Sequence, residues 1–375
     1  MKSVKYVRDP IFGNIELSET EARILETNEM QRLRRIKQLG NAYLVYPGAT
    51  HSRFQHSLGT MEATKRLSRR LFGEEVEALS LVGMLHDIGH APLSHTLDSQ
   101  YEQHLGKNHE QIGLDMIFGS EIWDIISGSG VSKREFADLF SGKERGKIVT
   151  GALGSDRVDY LSRDAYYTGV ALGIIDFNRI IGKTGLYKNS PAVEQGGIVG
   201  AESLLIARYF MFSSVYTHHA VEIANLMASK AASMAIDDGA IAPKELHRIS
   251  DQELEGLIIG SSGRKLQERI NYRKLYKRAV YSDLKEGSEA GRDEIESALS
   301  KSGLEYEDYV VTVISYKPGG DISVVAEDGK HIGSLGELSP LINTLNRVME
   351  AKKTLLVACD EKNIGKVKRV IGKIL

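Results

Sequence analysis

The sequence predicts a mainly α-helical protein with a small α+β unit at its C-terminal end. Three observations lead to this prediction. Apolar residues recur at helical spacing through about the first 280 residues. One of these stretches is apolar nearly all round, which is typical of a buried helix. Short apolar runs around glycine turns, which are typical of strands, become frequent only near the C-terminal end.

Three helical segments are predicted in the first part of the chain. Residues 53–72 carry apolar side chains on one face and basic side chains on the other, and Gly73 is a suitable C-terminal stop. Residues 76–85 are apolar nearly all round and lead into a histidine–aspartate pair before Pro92 breaks the pattern. The residues from about 202 to 235 predict one long core helix.

The C-terminal part of the chain predicts a unit of order ββαβα. Its strands and helices are expected at residues 309–315, 322–326, 338–349, 354–358 and 364–375. The polar, glycine-containing residues 284–302 are expected to form a connector before it. These patterns divide the chain into a core domain at residues 1–240, a helical extension and connector at 241–303, and an α+β domain at 304–375.

Composition limits the kinds of protein that this chain can be. A formal net charge of −2 provides no overall basic field for nucleic acid or an acidic membrane surface. The basic residues 32–37 and the lysine-rich tail leave nucleic-acid binding as a weaker alternative. Cys359 is the one cysteine, so a reducing compartment is expected. Because no long apolar run and no signal core are evident, the sequence predicts a cytoplasmic protein that does not enter a membrane.

Histidines are distributed unevenly along the chain. Seven of the eleven fall between His51 and His109, where a uniform scatter would place about two. They are His51, His56, His86, His90, His95, His104 and His109. Imidazoles clustered with carboxylates are what a transition-metal site requires. The cluster therefore predicts a metal site in this part of the chain.

The string LHDIGHAPLSH at residues 85–95 is the centre of this cluster. A histidine–aspartate pair is a weak signal alone, since the two residues can simply hydrogen-bond at a helix end. Here His86 and Asp87 end an apolar helix. Adjacent helical residues point about 100° apart, so they can hold one ion only if other elements supply the remaining ligands. The pair therefore predicts an interior site to which distant segments contribute.

Two other segments offer the missing ligands. Residues 48–59 (GATHSRFQHSLG) and residues 154–169 (GSDRVDYLSRDAYYTG) are rich in ionisable side chains. A ligand set of two nitrogens and two oxygens results from His56, His86, Asp87 and Asp156. Such a mixed set suits iron, manganese, nickel or zinc. Four protein ligands on an octahedral ion leave positions for water and a phosphate oxygen, which hydrolysis requires.

The chain resembles the HD-domain deoxynucleoside triphosphate triphosphohydrolases, a family that includes bacterial dGTPase-like enzymes. The resemblance covers about residues 5–285, in the order of the family's motifs. It rests on the strings DPIFGNIEL, QRLRRIKQLG, VYPGATHSRFQHSLG, LHDIGHAPLSH, NHEQIG, SDRVDYLSRDAYYTG, RYFMFSSVYTHHAV and INYRKLYK. It implies that the core at residues 1–240 is an all-helical HD phosphohydrolase domain.

The resemblance also implies roles for individual residues. The family's metal ligands match His56, His86, Asp87 and Asp156. Its catalytic histidines match His90, His95 and His109, with Asp98 beside them. Triphosphate-binding positions match Arg53, Arg157 and Arg208. Sugar and base positions match Gln38, Leu39, Tyr160, Asp164, Tyr216 and His218. At Gln55 this chain departs from the family, in which many members have a glutamate.

A regulatory nucleotide site is a further implication of the resemblance. A vertebrate relative binds an activating nucleotide between its subunits, at positions that match Lys5, Tyr6, Arg8, Glu26, Gln31 and Arg34. Glu26 and Arg8 replace other residues there. We expect a homo-oligomer, a dimer or a tetramer, because this family builds that site across subunit contacts.

The chemistry expected from these residue types is phosphoester hydrolysis. Three arginines and a divalent metal suit a triphosphate, with Mg²⁺ on the substrate as an additional expectation. A histidine, His95 first and His109 second, would protonate the leaving 5′-oxygen, giving deoxynucleoside and inorganic triphosphate. Two alternatives stay open at this point. One is a phosphatase or phosphodiesterase of mononucleotides or cyclic nucleotides, and the other is a non-catalytic nucleotide sensor.

Overall fold

The computed structural model describes residues 5–173, 175–284, 291–316 and 318–375. Its α-helices are α1 (Glu19–Leu25), α2 (Asn28–Arg32), α3 (Arg53–Phe72), α4 (Glu77–Leu85), α5 (Asp98–Leu105), α6 (His109–Phe118), α7 (Glu121–Ser127), α8 (Lys133–Phe140), α9 (Lys147–Thr150), α10 (Ser155–Thr168), α11 (Phe177–Gly182), α12 (Ile198–Met211), α13 (His219–Asp237), α14 (Asp251–Ile259), α15 (Arg264–Asn271), α16 (Arg292–Lys301), α17 (Leu335–Leu338), α18 (Pro340–Ala351) and α19 (Ile364–Ile371). Its strands are β1 (Lys5–Asp9), β2 (Gly13–Leu17), β3 (Thr184–Tyr187), β4 (Ser190–Glu194), β5 (Lys277–Asp283), β6 (Tyr309–Ser315), β7 (Ser323–Val325), β8 (His331–Ser334) and β9 (Lys353–Cys359). The prediction of a mainly helical protein with a small C-terminal α+β region is confirmed.

The chain forms two compact units that interleave along the sequence. The first contains residues of Met1–Met211, Pro243–Asp251 and Gly319–Asn343. The second contains residues of Phe212–Ala242, Gln252–Pro318 and Thr344–Leu375. The division of the sequence at residues 240 and 303 stays a prediction.

The centre of the first unit is helix α3, which packs against α4 and α10. Its predicted bounds are confirmed, and local sequence explains both ends. At the start, the side chains of Ser52 and Gln55 form a capping box. At the end, Gly73 adopts a left-handed φ of 80°, which a glycine tolerates at little cost. Helix α4 is buried from Ala78 to Leu85, as its apolar sequence predicts. These helices carry the histidine–aspartate motif into the interior.

Apart from β7, which overlaps the strand predicted at residues 322–326, the strands described in the first unit were not expected from the sequence. Strands β1 and β2 form an antiparallel hairpin, and β3, β4, β7 and β8 form a four-stranded sheet in that order. The turn of the hairpin is closed by Asp9, whose Oδ1 accepts hydrogen bonds from the amides of Ile11 and Phe12, each at 2.9 Å. Gly13 supplies the positive φ of 81°. The prediction of a purely helical core at residues 1–240 is therefore wrong at β1, β2, β3 and β4, because short strands paired over few residues leave little periodic signal.

The long helix predicted at residues 202–235 is also wrong. Helix α12 ends at Met211, a π-helical turn spans Phe212–Tyr216, and α13 begins at His219. Thr217 explains the interruption, since its Oγ1 donates to the carbonyl oxygen of Phe212 at 2.7 Å. Among the described residues, the stretch Gln195–Tyr216 is long and apolar enough to cross a membrane by those two measures alone, which core helices of soluble proteins also satisfy. The cytoplasmic location stays a prediction.

The C-terminal strands do not form one ββαβα sheet. In the second unit, β9 is the central strand of a sheet of order β5-β9-β6, and both of its pairings are antiparallel. Strand β7 belongs instead to the four-stranded sheet. Strand β5 was missed because its sequence, KRAVYSD, is charged and largely exposed, as edge strands often are. Part of the predicted connector, residues 285–290, lies outside the described residues, and Arg292–Lys301 forms α16.

Candidate metal centre

Four side chains from three helical segments of the first unit converge on one point. His56 comes from α3, His86 and Asp87 from the end of α4, and Asp156 from the first turn of α10. The Nε2 atom of His56 lies 3.1 Å from Oδ1 of Asp156 and 3.4 Å from Oδ2 of Asp87. The Nε2 atom of His86 lies 3.3 Å from Oδ1 of Asp87 and 3.6 Å from Oδ1 of Asp156. The four predicted ligands are therefore brought together.

These spacings match the geometry of a bound ion. Two ligand atoms at about 2.1 Å from an octahedral metal and at right angles to each other are about 3.0 Å apart. The described residues include His56, His86 and Asp87 as a group whose ligand atoms lie within 4.8 Å of one another. Asp156 keeps 31% of its side chain exposed, so the centre opens to solvent on that side. The arrangement provides both the protein ligands and an approach for a further one.

The hydrogen bonds of the two imidazoles fix which nitrogen can bind a metal. Nδ1 of His86 lies 2.9 Å from the carbonyl oxygen of Gly83, which can only accept, so Nδ1 carries the proton. Its Nε2 is buried and has no hydrogen-bond partner among the described residues. Nδ1 of His56 lies 2.6 Å from Oδ2 of Asp159. Histidine ligands of metals typically donate their second N–H in this way. The residues present thus fit a divalent metal ion.

Asp159 is held by a buried arginine that sequence reasoning did not single out. Arg163, fully buried, contacts both carboxylate oxygens of Asp159, with Nη2 2.8 Å from Oδ1, and its Nη1 lies 2.9 Å from Oδ2 of Asp9. Burial raises the pKa of Asp159, but the charge of Arg163 and the hydrogen bond from His56 hold this pKa below its ordinary value. The network fixes the ring of His56. The signal that could have identified Arg163 is the spacing of Asp156, Asp159 and Arg163 along α10, since positions three and four apart share a helix face.

Replacing Gly59 by alanine is expected to destabilise the protein by about 1–3 kcal/mol through this network. A Cβ at Gly59 would overlap with Oδ1 of Asp159 and with Nη2 of Arg163. The matched control is Gly256→Ala, because Gly256 lies within α14 and a Cβ there would meet no atom within 4 Å. Alanine is the better helix former, so the control should gain about 0.5–1 kcal/mol. Urea denaturation measures both values, and a gain in both variants would contradict the prediction.

The predicted catalytic residues form a second cluster beside the first. His90, His95, Asp98 and His109 present ligand-type atoms within 4.8 Å of one another. Nδ1 of His95 lies 2.8 Å from Oδ2 of Asp98, and the rings of His90 and His109 stack with centroids 3.9 Å apart. Nε2 of His90 lies 3.4 Å from Oδ1 of Asp87, which links the two clusters. His95 is 67% exposed, so of this group it is the one most accessible to a bound molecule.

Burial and charge keep two of these histidines neutral. Burial lowers the pKa of His109 to about 4. Burial, assisted by the charge of Arg53, holds the pKa of His90 well below its ordinary value. Burial raises the pKa of Asp98, but the contacts of this carboxylate with His95 and His109 lower the pKa overall. A charged Asp98 can therefore accept a hydrogen bond from the N–H at Nδ1 of His95. This hydrogen bond orients the other ring nitrogen, Nε2, outward.

The three predicted phosphate-binding arginines differ in their present contacts. Arg53 is buried, its Nη1 donates to Oδ2 of Asp87, and its Nε donates to Ser94 Oγ at 2.8 Å. Its Nη2 is buried and has no hydrogen-bond partner within the described part of the chain. Arg157 donates to the carbonyl oxygens of Ala152, at 3.1 Å, and Gly319. Arg208 hydrogen-bonds with Tyr160 on α10.

The residues expected near a sugar are spread over both units. Asp164 is buried, and its Oδ1 lies 2.8 Å from Nε2 of His51. Gln38 is buried, and its main-chain N–H donates to the carbonyl oxygen of His51 at 3.0 Å. Leu39 follows it in the first unit. Tyr216 and His218 belong to the second unit, and the side chain of His218 caps α13.

Two other predicted features have local partners. The proposed regulatory residues lie in β1, in α2 and just after α1 and α2. Three contacts join them to neighbours: Lys5 with Glu26 at 2.6 Å, Arg8 with Asn14 at 2.9 Å, and Gln31 with Arg34 at 2.8 Å, and Tyr6 is exposed. The Gln55 side chain accepts from the amide of Ser52 at 2.8 Å and donates to the hydroxyl of Tyr167 at 2.7 Å. The side-chain amide of Gln55, where the chain departs from the family, thus caps the N-terminus of α3.

Family comparison agrees with this geometry. Residues 53–163, which contain all four converging side chains, match the family model described as the HD domain. Residues 175–375 match the model described as the HD associated region, which is more than half of the chain. The chain belongs to the HD-domain family. This HD-domain protein therefore has the fold and family that its sequence motifs predicted.

Curated relatives include proteins with and without a stated activity. The HD-domain protein is 39% identical over 289 residues to an uncharacterized protein of Methanocaldococcus jannaschii, covering 75% of this chain and 61% of the relative. It is 30% identical over 314 residues to a Dictyostelium discoideum protein named deoxynucleoside triphosphate triphosphohydrolase SAMHD1 homolog, covering 74% of this chain and 60% of the relative. The chain thus spans about three fifths of the length of these two relatives.

Solved structures match nearly the whole chain. A hypothetical protein from Aquifex aeolicus superimposes with a TM-score of 0.83 at 30% identity, covering 98% of this chain and 100% of that one. A phosphohydrolase from Bacteroides thetaiotaomicron superimposes with a TM-score of 0.78 at 26% identity, covering 96% and 100%. The HD-domain protein therefore shares its architecture with both over almost all of its length.

Metal binding to the HD-domain protein is expected to strengthen as pH rises and to release protons. Burial lowers the pKa of metal-free His56, but its contacts with Asp156, Asp159 and Asp87 raise it overall, to about 10. Although burial lowers the pKa of His86, its contacts with Asp87 and Asp156 raise that pKa overall. A metal ion must displace the proton on Nε2 of His56, so at pH 7 binding releases at least one proton, and affinity rises by about tenfold or more per pH unit. Titration calorimetry with Mn²⁺ in two buffers of different ionisation enthalpy measures the release. A binding heat that is independent of the buffer would contradict this.

Proposed function

We propose that this HD-domain protein hydrolyses deoxynucleoside triphosphates to deoxynucleoside and inorganic triphosphate with a divalent transition metal. The observation that carries the proposal is the convergence of His56, His86, Asp87 and Asp156 beside Arg53, whose buried guanidinium reaches Asp87. The ligand set suits iron, manganese, nickel or zinc, with Mg²⁺ accompanying the triphosphate. The Dictyostelium relative, whose printed name states this activity, supports the choice of substrate.

The cationic groups support a polyphosphate substrate. A triphosphate carries about four negative charges, and arginines meet phosphate oxygens with paired, directional hydrogen bonds. Arg53 has a buried Nη2 available for such an oxygen. Arg157 and Arg208 lie around Tyr160, one turn from Asp156 on α10. We assign the triphosphate to these three arginines.

Proton transfer is assigned to the cluster of histidines. A bound divalent ion would supply activation of an attacking water and of a phosphoryl oxygen. When the bond between the α-phosphorus and the 5′-oxygen breaks, that oxygen must gain a proton. His95 is assigned this role because it is exposed and its Nδ1 is held by Asp98. His90 and His109, kept neutral by burial, are assigned to position the substrate.

Sugar recognition and regulation complete the proposal. Tyr160, Asp164, Gln38 and Leu39 are assigned to the deoxyribose. Asp164 suits a hydroxyl donor because a carboxylate accepts hydrogen bonds. We also propose a homo-oligomer with an activating nucleotide at Lys5, Tyr6, Arg8, Glu26, Gln31 and Arg34. Light scattering tests the oligomer, and a mass equal to a single 41.4 kDa chain would contradict it.

Product analysis separates this proposal from the phosphatase alternative and from a sensor without catalysis. Arg157 already donates to two carbonyl oxygens, and this observation favours a smaller phosphoester if those bonds persist. The metal-loaded protein is incubated with each deoxynucleotide and ribonucleotide, alone and in pairs, and the products are identified by mass. We expect deoxynucleoside and intact inorganic triphosphate. Orthophosphate from a monophosphate, or tight binding without any turnover, would contradict the proposal.

A further inference from the structure

Asp251 is a buried carboxylate whose hydrogen bonds reach far along the chain. It is the first residue of α14 and only 5% exposed. Its Oδ1 accepts the amide of Leu93 at 2.8 Å, and its Oδ2 accepts the amide of Lys37 at 3.0 Å. The Lys37 ammonium group lies 3.5 Å from the same Oδ2. One side chain therefore joins two main-chain segments that are more than fifty residues apart.

Both segments border the candidate active site. Leu93 lies in the loop between His90 and His95, which we call the histidine loop (residues 88–95). Lys37 immediately precedes Gln38. Asp251 lies in the part of the chain matched by the HD associated region, whereas the histidine loop lies within the HD domain match. The contact thus brings the associated region to the site.

The histidine loop has a backbone conformation that needs support. Leu93 and Ser94 have positive φ values of 58° and 57°, a region that residues with a Cβ rarely adopt. Two consecutive residues of this kind persist only where neighbouring contacts hold them. Asp251 supplies one such contact to the amide of Leu93. Ser94 supplies another, since its Oγ donates to the carbonyl oxygen of Lys37 at 2.7 Å.

The contacts of Ser94 continue to a metal ligand. Its Oγ also accepts from Nε of Arg53 at 2.8 Å, and Arg53 donates to Oδ2 of Asp87. Arg32 also holds the histidine loop, because its guanidinium donates to the carbonyl oxygens of Ile88 and His90. Arg32 also donates to the carbonyl oxygen of Ile249 at 2.9 Å, two residues before Asp251. The segment 249–251 is therefore tied to the loop twice.

We propose that Asp251 is a positioning residue that sets the histidine loop and the Lys37–Gln38 segment in register. Its carboxylate is suited to this task because it offers two acceptor atoms to two N–H groups at once. The consequence for catalysis rests on the proposed function. The placement of the two segments does not, because it follows from the hydrogen bonds alone. A shift of about 1 Å in a catalytic group is enough to slow a reaction about a hundredfold.

The test compares Asp251→Asn with a matched variant, Glu21→Gln. Asparagine keeps the size of the side chain but replaces one acceptor with a donor, so one of the two amides must lose its bond in either orientation. Glu21 is an equally buried carboxylate with several donors, Ser18, Lys65 and Ser80, in another part of the first unit. The control therefore reports the general effect of neutralising a buried carboxylate.

Hydrogen–deuterium exchange by mass spectrometry is the first readout and needs no substrate. We expect faster exchange in peptides covering residues 36–39 and 88–95 of Asp251→Asn, and no change there in Glu21→Gln. Unchanged exchange in both peptides would overturn the proposal. Since this readout does not depend on catalysis, it decides the placement even if the wild-type protein releases no triphosphate, a result that would contradict only the proposed function.

Steady-state kinetics and Mn²⁺ titration form the second readout. We expect kcat for a deoxynucleoside triphosphate to fall by about tenfold to a hundredfold in Asp251→Asn, with Mn²⁺ affinity within about threefold of wild type. Glu21→Gln should retain kcat even if it unfolds at a lower temperature. A parallel fall of kcat and Mn²⁺ affinity in Asp251→Asn, or an equal loss of kcat in Glu21→Gln, would show a merely structural role and overturn the proposal.

Discussion

Alanine at His86 or at Asp87 is expected to abolish stable metal binding and to lower turnover by about a thousandfold or more. Each substitution removes one of the four ligand side chains and leaves the remaining buried ligands without one of their partners. Asp87 has a second effect, because its Oδ2 also accepts from Arg53, which would keep a buried, uncompensated charge. Metal content by mass spectrometry and triphosphate release measure the two consequences.

The matched control for this prediction is His104→Ala. His104 belongs to the same run of histidines in the sequence, but it lies exposed on α5. We expect metal content and turnover to stay within about twofold of wild type, since surface substitutions away from special contacts change little. Undiminished turnover in His86→Ala or Asp87→Ala would contradict the assignment of these two side chains.

Replacing Arg163 by methionine is expected to lower the free energy of unfolding by about 3–5 kcal/mol. The side chain is fully buried between Asp159 and Asp9, and its loss leaves two buried carboxylates without their cation. Because Asp159 holds Nδ1 of His56, metal affinity should also fall, by about tenfold to a hundredfold. Urea denaturation and Mn²⁺ titration measure the two losses.

Arg264→Met is a close control for Arg163→Met. Arg264 contacts Glu268 at 2.7 Å, and Arg163 contacts Asp159 at 2.8 Å, both across one helical turn. The pairs differ in burial, since Arg264 is 64% exposed and Arg163 is not exposed. An exposed pair of this kind contributes at most about 0.5 kcal/mol, so the control should be nearly neutral. Equal losses in the two variants would contradict the importance that we give to burial.

The sequence was most informative where chemistry or local geometry forces a residue type. Helix α3 was predicted with its observed bounds because its apolar and basic side chains recur on separate faces and Gly73 ends it. The convergence of His56, His86, Asp87 and Asp156 was expected because adjacent ligands on α4 require partners from elsewhere. These features depend on spacing and residue type, both of which a sequence displays.

The sequence was least informative where pairing between distant segments decides the structure. Strand β5 exists because β9 pairs with it, and its own charged sequence gives no strand signal. The break between α12 and α13 depends on a side-chain hydrogen bond of Thr217 within an otherwise helical pattern. Asp251 contacts Leu93 across 158 positions of sequence. No local periodicity reports such contacts, so they become visible only in three dimensions.

Anomalous X-ray scattering from a crystal soaked in Mn²⁺ tests the central claim most directly. The arrangement of the side chains predicts one strong peak within bonding distance of Nε2 of His56, Nε2 of His86 and the carboxylates of Asp87 and Asp156. No peak at that position, or a peak confined to the neighbouring cluster of His95, Asp98 and His109, would contradict it.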